Sequence, residues 1–482
     1  MIASSRAGRA LQTGLVATIV AVLTGLAGTA GAVTATTAHA ARTPIKHFVY
    51  LMQGDRTFDN YFSTYPGADG PPPGTCQPLV LAKPKNGCIK PFPLHGRNVP
   101  PLAPGNTVLD YQYDGGKLDG FVAAYLRQGR DGTNAMGYYD RRDLPYYWAV
   151  ADQFVLFDNF FASARHGIRT NRSFWVSAAP QPGGTDAVGA DGYGDQVTIF
   201  DRLQAAGVSW KFYVEGYNPK ETFRSRSASN PAAQTVRVPL LDYARFVDDP
   251  ALRSHIVDLR QYYQDLADGT LPAVSYVASS GSSERSARSI GAGQELVRRM
   301  ITQLMVSSAW SSSALMWSYD GSGGWFDHVP PPKVGAAVLG PRVPALLVSP
   351  YARRGAVEHT RLDATGALAF IEQNWGVPAL TQRDAGAASI AAGLALDRPP
   401  RLPDVIQAGA PVPGPKVAVG TAYLGYLAAA AVAGVLFLTA AAGPTLSSTI
   451  RRKRIAAAAK APDRVLAGVV VTGDSAVVPE ER

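Results

Sequence analysis

SYDGSGGWFDHVPPP, Ser318 to Pro332, follows the apolar run SSALMWSY and sets the reading of the chain. An apolar strand that ends in a carboxylate and then glycines carries the acid, here Asp320, out of a core and into a pocket at the edge of a sheet. A second stretch, HFVYLMQGDRTFDNYF (His47 to Phe62), has the same grammar: an apolar run, then Gly54 and Asp55, then a polar turn that opens an aromatic segment. Two such strand ends, far apart in sequence, are expected to meet at one site.

Between and around them, strand-like and helical patterns alternate. IKHFVYLM reads as a first strand. LPYYWAVADQFVLFDNFFAS (Leu144 to Ser163) reads as a helix opened by Pro145 and passing into a strand. TIFDRLQAAGVSWKFYVEG (Thr198 to Gly216) reads as an amphipathic helix, a glycine stop and a strand. GQELVRRMITQLMVSSAW (Gly293 to Trp310) is a helix feeding the strand before Asp320, and RVPALLVSP (Arg342 to Pro350) is a further buried strand. Interleaving of this kind predicts an α/β sandwich with a mostly parallel sheet, one large domain with loop insertions and no internal repeat. The Pro/Gly-rich region from Pro66 to Gly105 reads as a long surface excursion.

The ends of the chain read differently from its body. Residues 1–40 carry Arg6 and Arg9, an apolar run from Leu11 to Val33, and Ala38-His39-Ala40. That order predicts a signal peptide, with an uncleaved anchor as the alternative. Residues 417–443 are apolar and uncharged, long enough for a bilayer that needs ~20 residues, and Arg451, Arg452, Lys453 and Arg454 follow. The expected arrangement is a body over 43–398, a Pro-rich stalk over 399–416, one C-terminal transmembrane helix and a cytoplasmic tail over 444–482. The cell membrane is then the predicted location, single-pass, with the body extracytoplasmic.

The net charge of +9 belongs largely to these ends: seven Lys or Arg against Asp463, Asp474, Glu480 and Glu481 give the tail from Arg451 a net +3, and Arg6, Arg9 and Arg42 near the start give another +3. It reflects topology and gives no argument for a nucleic-acid partner. The two cysteines, Cys76 and Cys88, lie in one loop, and in an exported chain they predict a disulfide; with only His95 nearby they fall short of a zinc set.

The order and wording of several segments carry a family resemblance: IKHFVYLMQGDRTFDNYFSTYPGADG, YDGGKLDGFV, MGYYDRRDLPYYWAVADQFVLFDN, LPAVSYV, GAGQELVRRMITQLMVSSAW, SYDGSGGWFDHVPPP and RVPALLVSPYARRG. From about Ile45 to Val377 the chain resembles the phosphoesterase family of bacterial phospholipases C and the acid phosphatase related to them. The resemblance implies an alkaline-phosphatase-like three-layer α/β/α fold and metal-assisted hydrolysis of phosphate esters by a hydroxyl nucleophile.

Transferred position by position, the resemblance yields a depleted site. The first motif's Glu-Asn ligand pair has become Gly54 and Asp55, while Arg56 to Asp59 keep the family's wording. In ARHGIRTNRSFW (Ala164 to Trp175), Asn171 and Arg172 match, but the nucleophile column falls on Ile168. Asp320 keeps one ligand of the third motif and Gly321 loses the other. Two histidine columns fall on Arg285 and Ala364.

Two carboxylates alone make a poor cage for a divalent ion, and isoleucine has no proton to lose and no oxygen to phosphorylate. Each remaining residue therefore has two readings. Asp55 and Asp320 are either ligands of a weakly held divalent cation, the one cofactor considered, or turn-capping carboxylates. Thr170 is either a substitute nucleophile or a turn hydroxyl. Gly54, Asn171, Arg172, Gly321, Asp327 and His328 are expected to line the pocket, with Asp327 and His328 read as a catalytic or a structural pair. His95 and His166 read as surface loop residues. Two functions stay open: a degenerate family member that binds phospholipid or phosphate-ester ligands, and an active envelope phosphoesterase.

Overall fold

The computed structural model describes residues 39–96, 99–184, 188–225, 234–285 and 289–409. The expected transmembrane segment, the basic tail and nearly all of the expected leader lie outside these residues. Among the described residues no helix is long and apolar enough to cross a membrane.

An eight-stranded sheet organises the body. In chain order its strands are β1 (His47–Gln53), β2 (Val155–Phe157), β3 (Trp210–Val214), β4 (Ile256–Asp258), β5 (Val274–Ala278), β6 (Ser313–Tyr319), β7 (Ala345–Val348) and β8 (Ala356–Glu358). Across the sheet they run β8-β2-β7-β6-β1-β5-β3-β4. Every pairing is parallel except those of β7, which is antiparallel to both β6 and β2. The predicted mostly parallel sheet is therefore present, with one reversed strand in it.

The central strands are continuous apolar runs because both faces are covered. On one face Phe48, Tyr50, Phe212 and Tyr276 meet Trp175 of α4 (Ile168–Ser177), Phe200 of α5 (Ile199–Ala205) and Phe370 of α8 (Ala364–Trp375). On the other, Trp317 packs on Tyr147 of α3 (Pro145–Gln153), and Tyr213 packs on Tyr262 of α6 (Arg260–Asp268). The Tyr262 hydroxyl donates to the Met300 carbonyl on α7 (Ile290–Val306) at 3.4 Å. Even and odd strand positions thus face different helices, as a two-residue side-chain period requires.

Neighbouring strands β1 and β6 are in register, Gln53 opposite Tyr319, and the Asp320 N–H donates to the Gln53 carbonyl at 3.1 Å. This register puts Asp55 and Asp320 at the same edge of the sheet. At the chain's described extremes, His39 and Arg42 are hydrogen-bonded to the C-terminal end of α8, and Arg401, at the start of the expected stalk, is docked on the body through Pro350 and Trp310.

The excursion from Pro66 to Gly105 is less superficial than its composition suggests. Leu94, Val99 and Leu102 are buried, and Cys76 and Cys88 form the expected disulfide beside a short ladder of Gln77–Pro78 with Cys88–Ile89. Its far end returns to the sheet edge and helps build the cleft described next.

Candidate active-site cleft

Beyond the ends of β1 and β6 lies a cleft of about 520 Å³. Asp55, Asp320, Gly321 and Arg285 form its floor. The first turn of α4, with Ile168 and Asn171, forms one wall; Pro101 to Asn106 and Leu109 form another, and Trp325 closes it. Two strand ends converge there, as the strand grammar predicts, and the N-terminus of α4 joins them.

Asp320 is buried and Asp55 partly so. Both meet one guanidinium: Arg285 donates from Nη1 to Asp55 Oδ2 at 2.6 Å and from Nη2 to Asp320 Oδ2 at 2.5 Å. The same Asp320 oxygen accepts from Arg172 Nε at 2.8 Å, while Asp320 Oδ1 is buried with no hydrogen-bond partner among the described residues. Arg172 is wholly buried beneath the cleft and spends its other donors on the carbonyls of Arg237 and Met52. Arg237 sits close by, and burial, with the charges of Arg172 and Arg285, pushes it down to about 10. Two guanidinium groups, Arg285 and Arg172, thus engage the two carboxylates, an arrangement that leaves little electrostatic need for a further cation.

The space is as crowded as the charge. A Cβ on Gly54 would lie 2.9 Å from Cγ, Nε and Cζ of Arg285. Gly54 therefore lines the arginine rather than the open cleft, and its N–H donates to the Ser283 carbonyl at 2.9 Å, tying the strand end to the loop that carries Arg285. Asp55 itself has φ of +65°, a backbone state that aspartate tolerates better than most residues and that turns its carboxylate toward the arginine. A divalent ion needs several free oxygen ligands. Here the two carboxylates are engaged by guanidinium, and Gly54 and Gly321 offer no side chain, so with Arg285 in place the donor set does not fit such an ion.

Next to Arg285, Glu284 escaped notice in the sequence. It is fully buried and accepts hydrogen bonds from Tyr61, Tyr147, Tyr319 and Gln53. Burial pushes its carboxyl up to about 7 against these donors and Arg56. Arg56, from the retained part of the first motif, donates to Tyr61 at 2.9 Å and lies 5.1 Å from the centroid of Trp325, bracing the cleft wall from behind.

Ile168 is the first residue of α4 and lines the cleft. Thr170 is not among the lining residues; its hydroxyl lies close under Gly167, at 2.7 Å from where a Cβ there would be. Asn171 lines the cleft but is committed to holding the loop: it accepts from Ala164 N–H at 2.8 Å and donates to the carbonyls of Ala164 and Gly167. Ser322, the hydroxyl residue on the floor, accepts from Gly324 N–H at 3.2 Å.

Asp327 and His328, expected in the pocket lining, lie elsewhere. They belong to a separate cluster in which Asp59 accepts from His328 Nδ1 at 2.7 Å and from Arg342 Nη2 at 2.9 Å, while Arg342 Nε donates to Asp327 at 2.9 Å. The two residues do not bond each other through their side chains; each is held by a group that the strand-end motif alone does not reveal. Burial pushes Asp327 up to about 6, with Arg342 opposing. His328 is held above its ordinary value: burial lowers it, but the hydrogen bond and charge of Asp59 prevail. Arg342 thus stands between two carboxylates here, much as Arg285 does in the cleft. His95 is hydrogen-bonded to Asp143 at 2.8 Å and His166 pairs with Asp110, so neither reaches the floor.

Comparison with known proteins agrees with the reading of the motifs. Residues 45–378 match the model of the Phosphoesterase family. Phospholipase C B of Mycobacterium tuberculosis is 30% identical over 410 residues, spanning 70% of this chain and 74% of that protein. Non-specific phospholipase C1 of Arabidopsis thaliana is 26% identical over 422 residues, spanning 76% of this chain and 75% of its own. A solved structure of a protein in the alkaline phosphatase superfamily from Vibrio parahaemolyticus aligns with a TM-score of 0.36 and 12% identity, over 76% of this chain and 71% of that one. The chain belongs to the phosphoesterase family.

Proposed function

We propose that this chain is a degenerate phosphoesterase that binds a phosphorylated or lipid ligand in the cleft without cleaving it. The observation that carries this is a cleft of about 520 Å³ with Ile168 on its wall, the residue to which the family resemblance assigns the nucleophile column. An alkyl side chain there can pack against a ligand but cannot attack phosphorus. Much of the remaining wall, Pro101, Leu102, Pro104, Leu109 and Trp325, is apolar and suited to an acyl or other hydrophobic group, while Arg165, paired with Asp110, adds a guanidinium to the same lining. On this reading the body has the alkaline-phosphatase-like three-layer architecture that the family resemblance implies. It is exported and held at the outer membrane face by the apolar segment 417–443, where lipid head groups are at hand.

The competing reading takes its activity from the relatives' names and requires a rearranged catalytic site. The deciding experiment assays purified full-length protein for release of phosphate from phosphomonoesters and of phosphocholine from phosphatidylcholine, with Ca²⁺, Mg²⁺, Mn²⁺ or Zn²⁺ supplied in turn. In parallel, retention on phosphatidylcholine vesicles is compared between wild type and Leu109→Asp. The expected result is no turnover with any ion and weaker vesicle retention by the variant. Turnover that Asp320→Ala abolishes would overturn the proposal.

A further inference from the structure

We infer that Arg285 is the resident cation of the cleft: the chain supplies its own guanidinium between Asp55 and Asp320, where the family resemblance implies a divalent ion. This deepens the reading above and rests on its account of the cleft floor.

Three observations converge on it. The first is contact: one guanidinium bridges both carboxylates, at 2.6 and 2.5 Å. Such charge-assisted bonds are among the stronger hydrogen bonds in proteins, and a planar fork serves two acids at once from separate nitrogens held in fixed geometry. The second is balance. Arg285 and Arg172 together match the charge of Asp55 and Asp320, so an incoming divalent ion would first have to displace Arg285. The third is space. The arginine stem occupies the volume beside Gly54, and a carboxylate at position 54 would exclude the arginine from this position, just as the arginine excludes it.

Gly54 and Arg285 are therefore one structural unit, although 230 positions separate Arg285 from Asp55, the residue that follows Gly54. A loss of one ligand and a replacement of one histidine, read separately, look like independent decay. Together they exchange a bound ion for a built-in one. The carboxylate pair remains a cation site, masked by a side chain of the same chain, and should take a metal once that side chain is removed.

The test titrates purified full-length protein with Mn²⁺ alone, followed by its paramagnetic resonance signal, and with Ca²⁺ alone, followed by thermal unfolding. Wild type is expected to show no Mn²⁺ site that Asp320→Asn removes, and no loss of thermal stability in EDTA. Arg285→Ala is expected to unfold at lower temperature, to gain Mn²⁺ affinity by at least roughly tenfold over wild type, and to recover stability as either ion is added, by mass action on the folded state. The gain is expected to vanish in Arg285→Ala combined with Asp320→Asn. Should Arg285→Ala not fold, Arg285→Gln, which keeps length and a planar end without the charge, goes through the same titration. An Mn²⁺ site in wild type that Asp320→Asn removes overturns the assignment, and so does failure of the arginine variants to gain one. Phosphate release is read in a separate assay, so a failure of the functional reading and a failure of this assignment are distinguishable.

Discussion

The Cβ that Gly54 lacks would lie 2.9 Å from the guanidinium carbon of Arg285. That distance is below ordinary contact, and it makes residue 54 a determinant of where residue 285 can go. Gly54→Ala is expected to push the guanidinium off its two carboxylates and to destabilise the protein by about 1–3 kcal/mol, the usual range for forcing atoms into a packed site. Chemical denaturation of the variant beside wild type checks this, and a neutral effect would show that the arginine can shift freely.

Arg172 supports the same floor from below. With its Nε bonded to Asp320 and its side chain wholly buried, Arg172→Met would leave Asp320 dependent on Arg285 alone. Breaking one partner of a buried pair leaves an uncompensated charge, and the expected loss is roughly 3–5 kcal/mol. Urea unfolding measures it; Arg172→Met combined with Asp320→Leu is expected to lose less than the single variant, because no charge is then stranded.

Ile168→Ser places a hydroxyl, and nothing else, where the family resemblance puts the nucleophile. With Arg285 still engaging both carboxylates there is no metal to ionise that hydroxyl, so phosphate release is expected to stay at the wild-type level with every divalent ion. A gain of metal-dependent turnover from this one change would mean that the floor is more open than its hydrogen bonds indicate.

Glu284 ties stability to pH. Its carboxyl is raised from 4.5 to about 7 in the folded protein, so it contributes most below its unfolded value, and that contribution is lost as pH rises from about 4.5 through 7. Glu284→Gln stays neutral throughout. Relative to wild type the variant should therefore gain stability steadily between pH 4.5 and 7.5, as denaturation midpoints across that range would show. A pH-independent difference would mean that the tyrosine hydroxyls keep the carboxylate ionised.

The disulfide between Cys76 and Cys88 closes a short loop, with a sequence separation of 12. On the chain-entropy model its removal by Cys76→Ala with Cys88→Ala is expected to cost about 3 kcal/mol. The loop stands outside the cleft lining, so vesicle retention is expected to stay unchanged while the melting temperature falls.

Much of this molecule is legible in its residues. The apolar runs ending in Gly54-Asp55 and in Asp320-Gly321 define two strands and their edge, because a strand buried on both faces must be continuously apolar and can turn polar only where it leaves the core. The alternation of helical and strand patterns defines the class of fold in the same way, and spacing within one loop is enough to pair Cys76 with Cys88. Position-by-position resemblance also places Ile168 on the cleft wall.

What local pattern could not decide is which distant groups meet. Arg285 reads in isolation as a lost histidine, and only the packing of its loop against the end of β1 makes it the partner of Asp55 and Asp320. Asp327 and His328 look like neighbours in a pocket, yet Arg342 and Asp59 draw them into another cluster. Glu284 has no local signature at all, since the three tyrosines that surround it come from α1 (Phe58–Phe62), α3 and β6. Charge pairing acts through a few ångströms of space and is indifferent to sequence separation, whereas burial periodicity is written along the backbone. The chain's own order therefore sufficed for the strands and their edge, and the identity of the cation between the two aspartates was settled only by folding.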